Sequence, residues 1–563
     1  MAIEQDNLTA KQQDYAIFLP AISSFYGIFI GKQRRWDYVD PARIPVPEME
    51  NLNWLNKDKS LFPYKWSLYS AGHANLNVNK DDPKELMVRE RDRENTWLLG
   101  DSGGFQIGKG VWSGEWRPPQ SKAVQDKMAE CKRLGTETRT KQVKNKATGE
   151  VVDKEYTVDL AKEYQQLIDA AQKKREQVLT WMDTYMDYGM ILDIPGWVFR
   201  EKNGPERTGI ETYQDAVDAT RYNNEYFMKH RTGACKFLNV LQGEHHTQAD
   251  EWYDQMKEFC DPAKYPDTHF NGWAMGGQNM CDVHLILKRL VALKFDNLLQ
   301  EGVHDCMHFL GTSKLEWATL LTDIQRAVRK HVNPNFQITF DCASPFLCTA
   351  NGQVYCEIDI EHDKKWSYRM TESLDDRKYS TDTRPYGQAM VDEGYCKKFD
   401  ESPVSKMLKL NDINKYKPNE VSAYTGKETK TSWDSFSYCL LMAHNVWTHI
   451  TSVQEANRQY DKGIRPGMLI DKPKKQTTND NAANELVSQF NFLEIDDTIS
   501  NVQGADTVYF RDIVDEIFSQ TDQQQALDTV EKYSDFYKKI PGTRGYTGEN
   551  TLNVNTQFDK ITE

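Results

Sequence analysis

The chain has 563 residues, 39% hydrophobic and 11% aromatic, which is enough apolar side chain for a large core and too much for an intrinsically disordered protein. A formal net charge of −14 excludes nucleic-acid binding by a uniformly basic surface, so any such contact must use a local basic groove. Ten cysteines are scattered without a CxxC pair, and Cys235, Cys342 and Cys439 lie inside apolar runs, a pattern of reduced thiols in a cytoplasmic protein and not of a disulfide framework.

The N-terminus from Met1 to Asp6 lacks a basic n-region, and the apolar stretch from Tyr15 to Gly31 is broken by Pro20 and by Ser23 and Ser24. It reads as core strand and loop, not as a signal peptide or membrane span, and residues 1–60 are expected to pack on the main domain. From Trp66 to His444 one theme repeats, a short apolar run ending in small or polar residues and then a helical pattern. The runs are 66–70, 97–101, 190–193, 237–243, 273–277, 307–311 and 336–341. Between Ser313 and Lys330 the residues Leu315, Ala318, Leu321, Ile324 and Val328 keep helical spacing, and Leu285, Leu287, Leu290, Val291 and Leu293 do so before them. This alternation predicts an α/β fold, most simply a (β/α)8 barrel over residues 61–470, with a doubly wound open sheet as the structural runner-up.

Insertions are expected near 107–157 and 356–435. The first concentrates Lys132, Arg133, Arg139, Lys141, Lys144, Lys146 and Lys154 around an Ala147-Thr148-Gly149-Glu150 turn and reads as a basic hairpin. Such a run is more often a solvated loop than a nucleic-acid contact. The second is polar and aromatic with weak periodicity, and is expected to hold extra loops over the site. Residues 471–563 read as a Lys/Asp/Asn-rich linker, a helical extension over 508–539 and a Gly- and Asn-rich tail from Gly542.

The most informative segment is Asp101-Ser102-Gly103-Gly104-Phe105-Gln106, which follows the apolar run Trp97 to Gly100. Adjacent glycines let backbone approach a ligand closely, so Asp101 and Phe105 can face one flat substrate from different sides. An ordinary turn with Asp101 as a helix N-cap is the alternative. Asp341 closes a second very apolar run and Asp193 a third, and a buried aspartate is costly unless paired or used. Gln242 with Gly243, and Gly276 with Gly277, add an amide and exposed backbone N–H groups. Two aspartates, one nucleophile and one general acid/base, satisfy retaining displacement at an anomeric carbon. The third aspartate, the glutamine, the glycine N–H groups and the aromatic ring match the donors, acceptor and face of a purine.

The ordered set Asp101-Ser-Gly-Gly-Phe-Gln106, Leu192-Asp193-Ile194-Pro195, Leu241-Gln242-Gly243, Gly272-Trp-Ala-Met-Gly-Gly277, His308-Phe-Leu-Gly311 and Phe340-Asp341-Cys342 resembles the tRNA-guanine transglycosylases over most of residues 60–350. The resemblance implies Asp341 as nucleophile and Asp101 as general acid/base. It also implies guanine binding by Ser102, Asp193, Gln242, Gly276 and Gly277, with the base held between Phe105 and a side chain near Leu310.

The family's CxCxxC triplet, which with a downstream histidine holds a structural zinc, is missing: Cys356, Cys396 and Cys439 are isolated, and 402–407 carries no thiol. No metal or other cofactor is therefore expected, and His444 reads as a satisfied core histidine. The lost triplet, the absence of a recognisable RNA-binding module and the private insertions resemble the bacteriophage DNA-guanine transglycosylases (the DpdA family). That likeness implies DNA as partner, a free 7-deazaguanine base such as preQ0 or a derivative as co-substrate, no membrane association and a host-cytoplasmic location. Lys141, Lys144 and Lys146 are the expected phosphate contacts. A tRNA substrate and a non-catalytic nucleic-acid-binding barrel are the alternatives.

Overall fold

The computed structural model describes residues 14–35, 45–82, 85–144, 151–415, 431–472 and 507–542. Eight strands form one sheet: β1 (Ile17–Pro20), β2 (Trp66–Ser70), β3 (Trp97–Asp101), β4 (Tyr188–Met190), β5 (Lys236–Leu241), β6 (Gly272–Met275), β7 (Cys306–Phe309) and β8 (Gln337–Cys342). Each pairs in parallel with its neighbour in sequence from β2 to β8, and β8 returns to β1. The remaining gap is bridged where Ala21 pairs with Leu68 and Ile22 N–H donates to Leu68 C=O at 2.9 Å. The result is a TIM-like (β/α)8 barrel. Its strands are apolar almost throughout because both faces are covered, one by the barrel interior and one by the helices.

The core strand read in Tyr15–Gly31 is present, and its place differs from the one expected. Ile17–Pro20 is wholly buried and supplies the first barrel strand, so this segment is part of the barrel and not a layer packed on it. Only seven runs are visible after residue 60, and closing the sheet requires an eighth. The stretch after Pro20 is helix over Ser24–Arg35, not loop: Tyr26 and Ile30, four residues apart on one face, are fully buried.

Helices alternate with the strands. Val283–Phe295 and Leu315–His331 form where the apolar spacing predicted them, the first capped by Asp282, whose carboxylate accepts from Leu285 N–H at 3.2 Å. After β8 the 27-residue helix Ser435–Asp461 is buried along nearly its whole length. The 356–435 insertion packs against this helix through the hairpin Gln353–Asp359 and Ser367–Glu372. Its described residues contribute no lining residue to the cavity described below, and 416–430 lie outside the described residues. Its burial against the helix explains why its aromatics resemble core.

The C-terminal extension folds as Phe510–Ser519, Gln523–Lys532 and Ser534–Lys538. Ile513, Val514, Ile517 and Phe518 are buried where the first of these packs on Leu315–His331, and Asp515 pairs with Lys330 at 2.7 Å and His331 at 2.8 Å. Most of the linker, and the tail beyond Gly542, lie outside the described residues. Among the described residues no helix is long and apolar enough to cross a membrane.

Candidate active site at the strand ends

The C-terminal ends of the strands surround a cavity of about 490 Å³, the position at which (β/α)8 barrels build their sites. Asp101, Phe105, Asp193, Gln242, Gly276, Gly277, Leu310 and Asp341 all line it. Ser102 does not: it is buried, and the cavity wall is made by its neighbours.

Asp101 ends β3 in register with Ser70 at the end of β2, and the Ser70 hydroxyl donates to Asp101 Oδ2 at 2.5 Å. Burial raises the Asp101 carboxyl above its ordinary range; the Ser70 hydrogen bond opposes this and the nearby Asp341 charge adds to it. The chain then turns through Gly103 at φ +82°, a conformation open to glycine. A Cβ on Gly104 would stand 2.6 Å from Asp193 C=O, so the hexapeptide's second glycine permits the contact between the two turns. Phe105 sits on the short helix Gly104–Gly108 and meets Trp197 edge to face at 6.0 Å.

Asp193 lies three residues beyond β4. Its carboxyl is pushed up to about 7, chiefly by burial, against the opposing hydrogen bond from Gln242 Nε2 at 2.8 Å. The two glycine turns behind it are tied together by Asn279, whose Nδ2 donates to Gln242 C=O at 3.1 Å and Gly276 C=O at 3.3 Å.

Asp341 faces the cavity from β8. Its Oδ1 accepts Gly311 N–H at 2.8 Å and is approached by His308 Nε2 at 3.2 Å. A carboxylate oxygen only accepts, so Nε2 carries a hydrogen. In the neutral ring Nδ1 then accepts from the Thr339 hydroxyl, 2.9 Å away. Asp341 Oδ2 has no protein donor among the described residues. One oxygen is held and the other is available.

No protein-family model matches the chain, and no curated protein matches it. Its chemistry has to be read from this geometry.

The histidine expected to be a core residue is one. His444 is fully buried; its Nε2 donates to Tyr355 C=O at 2.9 Å, its Nδ1 meets Ser402 Oγ at 3.0 Å, and Phe399 stacks on it at 4.9 Å. Burial lowers its pKa to about 4, so it is neutral. Among the described residues no group of three or more His, Cys, Asp and Glu could hold a metal ion.

The basic insertion is a hairpin of Thr136–Lys144 with Val151–Asp159, while Lys132 and Arg133 belong to the last turn of the preceding helix Lys122–Leu134. Lys141 pairs in register with Lys154 and lies over the Tyr156 ring at 5.2 Å. Lys144 ends the first strand, where its backbone pairs in register with Val151, and Lys146 lies outside the described residues. The residues in phase with Lys141 include Arg139, Lys154, Tyr156 and the acidic Glu137, while Asp153, Glu155 and Asp159 occupy the opposite parity. Arg139 is held by Glu137 and Glu163. The hairpin enters the helix Leu160–Tyr185 at its N-terminus, which in a (β/α)8 barrel is the end that carries the site.

Sequence reasoning did not assign roles to Ser70, Trp197, His308, Gly311, Arg200 or Glu244. His308 and Gly311 stood inside a recognised motif, and polar residues at the ends of apolar runs could have flagged them and Ser70. Nothing local marked Arg200 and Glu244, which pair across 44 residues.

Proposed function

We propose that the protein is a DNA-guanine transglycosylase, exchanging guanine in DNA for a free 7-deazaguanine base through a covalent glycosyl-aspartate. What supports this most is a pair of carboxylates with unlike surroundings on one cavity, Asp341 with one oxygen held and one available, and Asp101 with its carboxyl raised.

In this reading Asp341 Oδ2 attacks C1′ of the nucleotide, the C1′–N9 bond breaks, and N9 takes the proton of Asp101. The incoming base then gives its N9 proton to Asp101 and attacks C1′, and the Asp341 carboxylate leaves. Asp193 accepts from the N1–H and 2-amino group, the Gln242 and Gly277 donors serve O6, and Phe105 and Leu310 offer the ring its two faces. One glycosidic bond replaces another, so the exchange is balanced without ATP or a redox partner. In a duplex the base must first leave the stack, at a cost of a few kcal/mol.

The test is nucleoside analysis of DNA and of tRNA incubated separately with the protein and a panel of 7-deazaguanines. Incorporation into DNA is expected. Incorporation into tRNA alone would reassign the polymer, and abasic sites without incorporation would make the protein a hydrolytic glycosylase.

A further inference from the structure

The barrel has a second cavity, of about 560 Å³, at the N-terminal ends of its strands, the far end from the carboxylates. Trp66, Trp97 and Tyr188, the first residues of β2, β3 and β4, give it aromatic walls, and Lys65 and Arg329 give it two cations. Lys65 Nζ lies over the Trp66 ring at 4.8 Å, and Arg329 donates from Nε to Phe336 C=O and from Nη2 to Gln337 Oε1. Neither cation has a carboxylate at ion-pair distance among the described residues. The acids in the same wall are engaged elsewhere, Asp14 by Arg326 at 2.6 Å and Asp305 by Gly302 N–H and Asn333 Nδ2.

Thr339 connects this cavity to Asp341. The two alternate with Gln337 along β8 and so share its inner face; Thr339 lines the second cavity and Asp341 the first. Between them stands His308, with Nδ1 2.9 Å from Thr339 Oγ and Nε2 3.2 Å from Asp341 Oδ1. The Thr339 hydroxyl has a single hydrogen, and His308 Nδ1 takes it.

We propose that the second cavity binds a nucleoside monophosphate, its base against the Trp97 and Tyr188 rings and its phosphate on Lys65, Arg329 and the Thr339 hydroxyl. The volume is that of a small-molecule site, flat rings suit a base, and cations without carboxylate partners suit a phosphate. β4 and β8 lie opposite each other in the order of eight strands, so the rings and the phosphate donors stand across the cavity from one another, as a base and its phosphate require. A phosphate oxygen that accepts the Thr339 hydrogen takes it from His308. Nucleotide and His308 therefore compete for one donor, and by linkage the competition is felt at Asp341. The site stands on this geometry and goes beyond the exchange reading.

The experiment is titration calorimetry on the full chain, since residues 1–13 ahead of Asp14 lie outside the described residues. The ligands are adenosine monophosphate, guanosine monophosphate, adenosine and inorganic phosphate. Wild type should bind one monophosphate at least about tenfold more tightly than adenosine or phosphate alone, and K65E, or the milder K65M, should weaken it about tenfold. T339V should weaken binding about 5- to 10-fold with T339S close to wild type, and H308L, which releases the hydroxyl to the ligand, should tighten it by a similar factor. Absence of monophosphate binding by folded wild-type protein, or binding that both Lys65 variants leave unchanged, overturns the site. Binding that is indifferent to T339V or to H308L overturns the link to Asp341 and leaves the site standing.

Discussion

His308 Nε2 lies 3.2 Å from Oδ1 of Asp341, the same oxygen that accepts Gly311 N–H, so the two donors converge on one side of the carboxylate. In the proposed exchange, negative charge returns to the carboxylate when the bond from Oδ2 to C1′ breaks, and these donors are placed to stabilise it as an oxyanion hole does. His308→Leu should make Asp341 a poorer leaving group. The covalent adduct should persist on denaturing gels while turnover falls about 10- to 100-fold, with partial recovery in His308→Gln. Asp341→Asn should give no adduct at all. An adduct level that falls in step with turnover in His308→Leu would assign His308 to folding alone.

Ser70 donates to Asp101 and so holds its carboxyl lower than burial alone would. Ser70→Ala should raise the Asp101 pKa further. A carboxyl that acts as an acid then stays protonated to higher pH, so the alkaline limb of the first half-reaction should move up in pH. Single-turnover release of guanine, followed between pH 5 and 9, measures this; an unmoved limb would separate Asp101 from the protonation step.

Burial pushes the Asp193 carboxyl up to about 7, and reading a guanine edge in the proposed exchange requires it to be an acceptor. Base affinity should therefore fall about tenfold per pH unit below 7 and level off above it, and Asp193→Asn should bind weakly with no such slope. The stability linkage has the opposite sense. A carboxyl raised on folding contributes stability that is present below about pH 4 and lost as pH rises to about 7, amounting to about 4 kcal/mol. Denaturant unfolding of Asp193→Asn against wild type should show the difference growing in the variant's favour across that window.

On the hairpin, phase along the strand and not proximity in sequence should decide DNA contact. Charge reversal at Lys141 and Lys154, register partners in the ladder, should weaken DNA binding and lower its salt slope by about one per lost phosphate contact. Glu155→Lys, at the opposite parity, should leave the slope nearly unchanged. Salt titrations of the Lys141 and Lys154 variants that match wild type would return the hairpin to a solvated surface.

Both ring nitrogens of His444 are engaged, by Ser402 Oγ and Tyr355 C=O. Ser402→Ala should leave Nδ1 buried without its partner and cost about 1–3 kcal/mol, visible as a lower Tm. A strong chelator should leave Tm unchanged; a chelator-induced drop would place a metal in the protein.

Much of the fold was legible because it depends on local pattern. Strands buried on both faces must be apolar runs, helices beside them must show a 3.6-residue period, and runs ending in Asp101, Gln242 and Asp341 stand out since polar residues are costly there unless used. The hexapeptide's glycines were read as room for a ligand; in the structure Gly104 packs against Asp193 C=O. The first strand was read as core strand but not as part of the barrel, because four residues beside a proline are too short for a period and only the gap between β8 and β2 shows where they pair. What the tertiary structure alone decided are pairings at a distance. Ser70 meets Asp101 through strand register, Arg200 meets Glu244 across two barrel loops, and Ser402 meets His444 where the sequence suggested only an absent thiol. Local sequence sets which groups are costly to bury, but the partner that satisfies each one is chosen by how the barrel closes, and closure joins residues whose separation along the chain carries no periodic signal.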